Sequence, residues 1–218
     1  MNFEQARQNM VQSQALTEKV LNPFVLRALG EVRREDFAPE KVRTLAYTEM
    51  HIPFGADPSQ VMLTSAQDGW FLQASHIEDS DRILEIGTGT GYLTTLLARL
   101  GASVDSIEID AGLAKAATER LKKAGVENAT VHVGDALAPL KIAGPFNVII
   151  VSGSMVEPPA HLLDLLADGG RLLVCMGTPP ILHLRVFIRY GQQLDAFDVH
   201  EMRVPRLIGV KEPKPFEF

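Results

Sequence analysis

The sequence predicts an α/β fold: a Rossmann-like parallel sheet with helices on both faces, closed by a C-terminal antiparallel hairpin and preceded by an N-terminal helical extension. Three observations lead there. From residue 81 onward, short apolar runs alternate with longer segments of helical period, the pattern of parallel βαβ units. The first run ends in "GTGTG", with glycine at 87, 89 and 91, where a strand turns into a helix. After residue 181 the pattern changes to alternation around a glycine-containing turn. A chain of 218 residues is too short for two full cores, so one domain is expected, with residues 1–60 as the extension and 61–218 as the α/β core.

The elements follow in order. "NPFVLRALGEV" (22–32) opens on an Asn cap with Pro at the first helical position. "AQDGWFLQASHI" (66–77) reads as a helix capped by Thr64 or Ser65. "RILEIG" is the first core strand and "YLTTLLARLG" its helix, with Leu93, Leu96, Leu97 and Leu100 on one face and Gly101 as the stop. "SVDSIEI" is the second strand, "AGLAKAATERLKKAG" a helix ended by Gly125, and "ATVHVGDA" the third strand. "FNVIIVSG" and "RLLVCMG" are the fourth and fifth, with a helix in "PPAHLLDLLADGG" between them. In "ILHLRVFIRYGQQLDAFDVHEMRV", Leu182, Leu184, Val186, Ile188 and Tyr190 alternate toward one side, as in a hairpin with one wetter face.

Composition narrows the function classes. Apolar residues make up 46% and charged residues 22%, which fits an ordinary globular chain. The longest apolar runs, such as "VIIV" (148–151), fall far short of a membrane span, and "MNFEQARQNM" lacks a signal peptide's apolar stretch, so a cytoplasmic protein with no membrane partner is expected. A net charge of −6 argues against nucleic acid as a partner. Cys175 is the single cysteine, and the six histidines show no ligand spacing, so no metal is expected.

The glycine turn raises the question of which nucleotide it serves. Its spacing is G-x-G-x-G, whereas the dinucleotide fingerprint is G-x-G-x-x-G. Glu85 ends the first strand two residues before Gly87, where a carboxylate would repel a pyrophosphate but could pair with an ammonium. Glu108 ends the second strand, placed to accept both ribose hydroxyls, and Asp135 follows the third, placed for an adenine amino group. Three acids at three successive strand ends favour a cationic adenosyl cofactor, S-adenosyl-L-methionine. Taken singly, each has a structural reading as helix-terminal acid, solvated strand end or turn former.

With those residues, the chain resembles the class I S-adenosylmethionine-dependent methyltransferases, and more narrowly the protein-L-isoaspartate O-methyltransferase family. The narrower resemblance rests on "VLRALGEVRREDFAPE", "LAYTEMHIPFG", "ILEIGTGTGYLTTLLARL", "SIEID", "ATVHVGDA", "PFNVIIVSGS", "LLADGGRLLVCMG" and "MRVPRLIG". It implies methyl transfer to the free carboxyl of an isoaspartyl residue in a damaged protein or peptide, with S-adenosyl-L-homocysteine as product. It also implies a cofactor site of Glu85, Ile86, Gly87, Thr88, Gly89, Gly91, Glu108, Ile109, Asp135, Ala136 and Ser152.

The sequence departs from that family in two places. The family's Ile-Ser-x-Pro segment aligns with "QVMLTSAQDGWFLQ", which puts Leu63 at the serine, while Asn147 stands where the family usually has Asp. Thr64 and Ser65 are the candidate catalytic hydroxyls if the longer "FGADPSQ" loop shifts the register; without a shift, Leu63 faces the acceptor. Two alternatives stay open: a methyltransferase of the same fold with another acceptor, and a protein that binds the cofactor without isoaspartyl repair. An NAD-dependent oxidoreductase is disfavoured by Glu85 and by the glycine spacing. A monomer is expected.

Overall fold

The computed structural model describes residues 2–211. The chain opens with α1 (Phe3–Met10), which passes into a wider helical turn at Val11–Ala15. Helix α2 (Pro23–Glu31) begins as its sequence dictates: Asn22 Oδ1 accepts the Phe24 amide at 2.9 Å, and Pro23 occupies the first turn. Two short 3₁₀ segments, Arg34–Asp36 and Glu40–Leu45, lead to a small antiparallel ribbon of β1 (Ile52–Pro53) and β2 (Val61–Met62). Helix α3 (Ser65–Ser75) follows at once, closed at its start by a capping box between Thr64 and Gln67.

The core alternates β3 (Arg82–Ile86), α4 (Tyr92–Leu100), β4 (Ser103–Glu108), α5 (Ala111–Lys123), β5 (Ala129–Val133), β6 (Phe146–Met155), α6 (Ala160–Asp164) and β7 (Leu166–Thr178). A hairpin of β8 (Ile181–Tyr190) and β9 (Gln193–Glu201) completes it. The strands form one sheet in the order β5-β4-β3-β6-β7-β8-β9, parallel through β7 and antiparallel beyond it. This is the predicted architecture. β4 and β5 lie on one side of β3 and β6 on the other, so the chain reverses direction at β3, where such sheets bind ligands at the carboxyl ends of their strands.

Alternate residues of the central strands enter two apolar layers. Ile83, Val148, Ile150, Leu173 and Leu184 pack with Leu29, Phe71, Leu96 and Leu97, so the N-terminal helices share a core with the sheet. Leu84, Ile86, Ile149, Val151 and Val174 face the other way, toward Leu162 of α6 and the segments around Leu140 and Leu207.

Two local expectations change. "PPAHLLDLLADGG" yields a helix of only five residues, because the Phe146 amide donates to Leu165 O at 2.8 Å and Leu166 already pairs with Phe146, drawing the chain into β7. Gly101 does end α4, but with φ of −117° rather than in the left-handed region. Glycine is required there by space: a Cβ would fall 2.6 Å from Ile83 Cδ1.

Candidate active site

A cleft partly open to solvent lies at the carboxyl ends of β3, β4, β5 and β6, enclosing about 930 Å³ when the open space at its mouth is counted. Its floor is the turn between β3 and α4. Gly87, Gly89 and Gly91 take φ of 94°, 54° and 87°, a region strained for any residue with a Cβ. Space adds a second reason at two of them. A Cβ on Gly87 would come within 2.4 Å of Ser152 Oγ, and one on Gly89 within 2.8 Å of the Phe54 ring.

The predicted residues divide into those that border the cavity and those behind it. Ile86, Gly87, Thr88, Gly89, Glu108, Ile109, Asp135, Ala136 and Ser152 border it. Glu108 is 5% exposed and holds the turn in shape: Oε2 accepts the Gly89 amide at 2.7 Å and Oε1 the Asp110 amide at 3.1 Å. Asp135 is exposed, its Oδ1 accepting the Leu137 amide at 2.9 Å. The Ser152 hydroxyl donates to the carbonyls of Ile86 and Gly87, both at 3.0 Å, and so braces the first glycine from β6. Gly91 is the N-cap of α4 and packs on Ala117 and Leu121.

Glu85 lies behind the floor, fully buried. Its Oε2 accepts from Thr94 Oγ1 at 2.5 Å and Ser106 Oγ at 2.6 Å, while Oε1 has no partner. Burial raises its carboxyl to about 8; the two hydroxyls oppose the rise, and the charges of Asp68 and Glu108 add to it.

Thr64 and Ser65, the two candidate hydroxyls, do not border the cavity. Thr64 Oγ1 accepts the Gln67 amide at 3.3 Å as the cap of α3, and the Ser65 side chain is wholly buried without a partner. The capping box fixes the register, and Leu63 is the residue that faces the cavity. The second departure has a local account. Asn147 Oδ1 accepts the Arg82 amide at 2.9 Å, a contact a carboxylate oxygen could equally make.

Among the bordering residues not singled out in the sequence are Arg34, Asp68 and Tyr92. The Arg34 guanidinium is fully buried, donating from Nε to Ala46 O at 2.8 Å, from Nη1 to Asp68 Oδ2 at 2.9 Å and from Nη2 to Leu63 O. It also lies 4.7 Å from the centre of the Tyr92 ring. Asp68 is buried on α3, but an acid within a short helix does not by itself mark a site.

Among the described residues no helix is long and apolar enough to cross a membrane, and no cluster of three His, Cys, Asp or Glu side chains could hold a metal ion.

Comparison with known proteins agrees with this geometry. Residues 5–202 match the family model described as Protein-L-isoaspartate(D-aspartate) O-methyltransferase. A protein-L-isoaspartate O-methyltransferase of Koribacter versatilis is 32% identical over 209 residues, covering 95% of this chain and 92% of the relative. One from Opitutus terrae is 35% identical over 179 residues, covering 80% and 76%. Among solved structures, a protein-L-isoaspartate O-methyltransferase superposes with a TM-score of 0.80 at 22% identity, covering 93% of this chain and 66% of that one. A beta-aspartate methyltransferase (PCMT) from Plasmodium falciparum, in complex with S-adenosyl-L-homocysteine, superposes with a TM-score of 0.79 at 17% identity, covering 95% and 98%. At these identities the structural likeness establishes the fold alone.

Proposed function

The chain belongs to the protein-L-isoaspartate(D-aspartate) O-methyltransferase family, and from that premise we propose that it transfers a methyl group from S-adenosyl-L-methionine to the free carboxyl of an isoaspartyl residue in a protein or peptide. The observation that carries the reading is the convergence of the glycine turn, Glu108 and Asp135 on one cavity at the reversal point of the sheet.

The residues present fit the cofactor. Glycine at 87 and 89 lets the turn take positive φ, and its backbone there borders the cavity where a ligand can approach. Glu108 has lone pairs left on both oxygens for ribose hydroxyls, and Asp135, which borders the same cavity, offers an acceptor for the adenine amino group. S-adenosylmethionine supplies, when bound, an electrophilic methyl group on a sulfonium.

The chain's own task is then to orient and to dry the acceptor. An isoaspartyl carboxyl, with an ordinary pKa of about 4, is ionised at neutral pH, so no general base is needed. Leu63 and Met62 form an apolar wall with 7% and 4% exposure, which excludes water beside the reacting groups. The net charge of −6 supports a peptide rather than a nucleic-acid acceptor, and we read the working unit as a monomer.

The direct test uses labelled S-adenosylmethionine with a synthetic isoaspartyl peptide and its aspartyl counterpart. Label entering the first peptide and not the second is expected. Cofactor binding without transfer to either would replace this reading with that of another acceptor.

A further inference from the structure

Charge is divided across the cavity. Glu108 and Asp135 follow β4 and β5, on one side of β3, and border the cavity there. On the other side, at the carboxyl ends of β6 and β7, it is bordered by Arg206, a half-buried side chain. Among the described residues the other cation at the border is Arg34, which is fully buried and bonded to Ala46 O, Leu63 O and Asp68, the third bordering acid. A small anion entering the cavity is therefore repelled from the β4 and β5 side and drawn to Arg206.

The fold fixes Arg206 on the wall that carries Leu63. Pro205 O accepts the Ser154 amide at 2.7 Å and the Leu207 amide donates to Ser154 O at 2.9 Å, which ties residues 205–207 to the end of β6. From the guanidinium, Nη2 donates to Gly177 O at 2.9 Å and Nη1 to Ser154 Oγ at 3.4 Å. Leu207 Cδ1 lies 3.8 Å from where a Cβ on Gly87 would stand, so the segment passes beside the first glycine of the turn. Gln67 joins it to the start of α3: Nε2 donates to Arg203 O at 2.8 Å, and Oε1 accepts the amide of Thr64, the neighbour of Leu63, at 3.0 Å. Leu63 offers an acceptor no hydrogen bond, whereas a guanidinium presents a planar fork of N–H donors matched to a carboxylate.

We propose that Arg206 binds the free carboxylate of the acceptor through one oxygen and turns the other toward the methyl group. This rests on the isoaspartyl reading of the site. Transfer joins that second oxygen to the methyl carbon as the carbon–sulfur pair passes to sulfur, which leaves a neutral ester and ends the attraction to Arg206. The contact is made to the ionised acceptor, so it lowers KM and does not raise kcat.

The test measures methyl transfer to an isoaspartyl peptide, and inhibition by the same peptide with its acceptor carboxyl replaced by a carboxamide. Arg206→Gln should raise KM for the isoaspartyl peptide by about ten- to hundredfold, the range for a hydrogen bond between charged groups, with kcat no lower than about a third of the wild-type value. Inhibition by the neutral peptide and calorimetric affinity for S-adenosyl-L-homocysteine should both stay within about threefold. Arg206→Lys, which keeps the charge and loses the planar fork, should recover part of the loss. Equal weakening of the charged and neutral peptides, or a parallel loss of S-adenosyl-L-homocysteine binding, would show that Arg206 only supports the wall, and the proposal fails. An unchanged KM, with or without a fall in kcat, would also overturn it. A wild-type protein that binds S-adenosyl-L-homocysteine and methylates no isoaspartyl peptide would defeat the isoaspartyl reading itself, and the proposal with it.

Discussion

The Gly89 amide donates to Glu108 Oε2 at 2.7 Å, so the acid at the end of the second core strand is also the clamp on the glycine turn of the first. Glu108→Ala is therefore expected to act twice, removing the acceptor for the ribose and freeing the turn. A loss of about 1–3 kcal/mol in S-adenosyl-L-homocysteine binding is expected, the range for a hydrogen bond to a charged group. Asp135→Ala, at an exposed position where water can replace the side chain, should cost less. Calorimetric titration of both variants checks the ranking.

Three glycines with positive φ give a graded test. Gly191→Ala meets no atom within 4 Å and should lower stability only by the backbone strain, on the order of 1 kcal/mol. Gly87→Ala adds a clash with Ser152 Oγ, and Gly89→Ala one with the Phe54 ring. Thermal unfolding should therefore rank both well below Gly191→Ala, and cofactor binding should fall in the two turn variants alone.

Removing the α3 cap should affect stability and not turnover. Thr64→Ala loses the capping box and should cost about 1 kcal/mol of folding stability, with methyl transfer per folded molecule unchanged. Leu63→Ser is the converse change, since it places a hydroxyl on the cavity wall at the family's serine position. Transfer to an isoaspartyl peptide should rise in that variant. Steady-state kinetics on both, normalised to folded protein, checks the pair.

The buried carboxyl of Glu85 sets a pH dependence. Its pKa rises from the usual 4.5 to about 8, so the folded state retains a proton that the unfolded chain releases. The stability this contributes is fully present below about pH 4.5 and is lost as pH rises through about 8. Asp68, raised to about 7, shifts in the same direction. Glu85→Gln has no proton to lose and keeps an oxygen for Thr94 and Ser106, so its unfolding temperature should fall less than that of the wild type between pH 5 and pH 9. Thermal melts across that range measure the difference. Parallel curves would show that Glu85 is already ionised at pH 5.

The sequence alone determined the order of strands and helices, the glycine turn and the acids at 85, 108 and 135, because these depend on local periodicity and on backbone conformations that only glycine adopts freely. It also gave the Asn22 cap and the C-terminal hairpin, each written in a few neighbouring residues. The tertiary structure decided what depends on distant contacts. Leu166 pairs with Phe146, which shortens α6 to five residues although its local signals favour a longer helix. Thr64 closes α3, and its capping geometry turns Leu63 rather than a hydroxyl toward the cavity. Arg34 reaches Asp68 across 34 residues of sequence, and no local pattern marks either as a site residue. Their pairing arises because a buried guanidinium must find acceptors wherever the packed helices bring them.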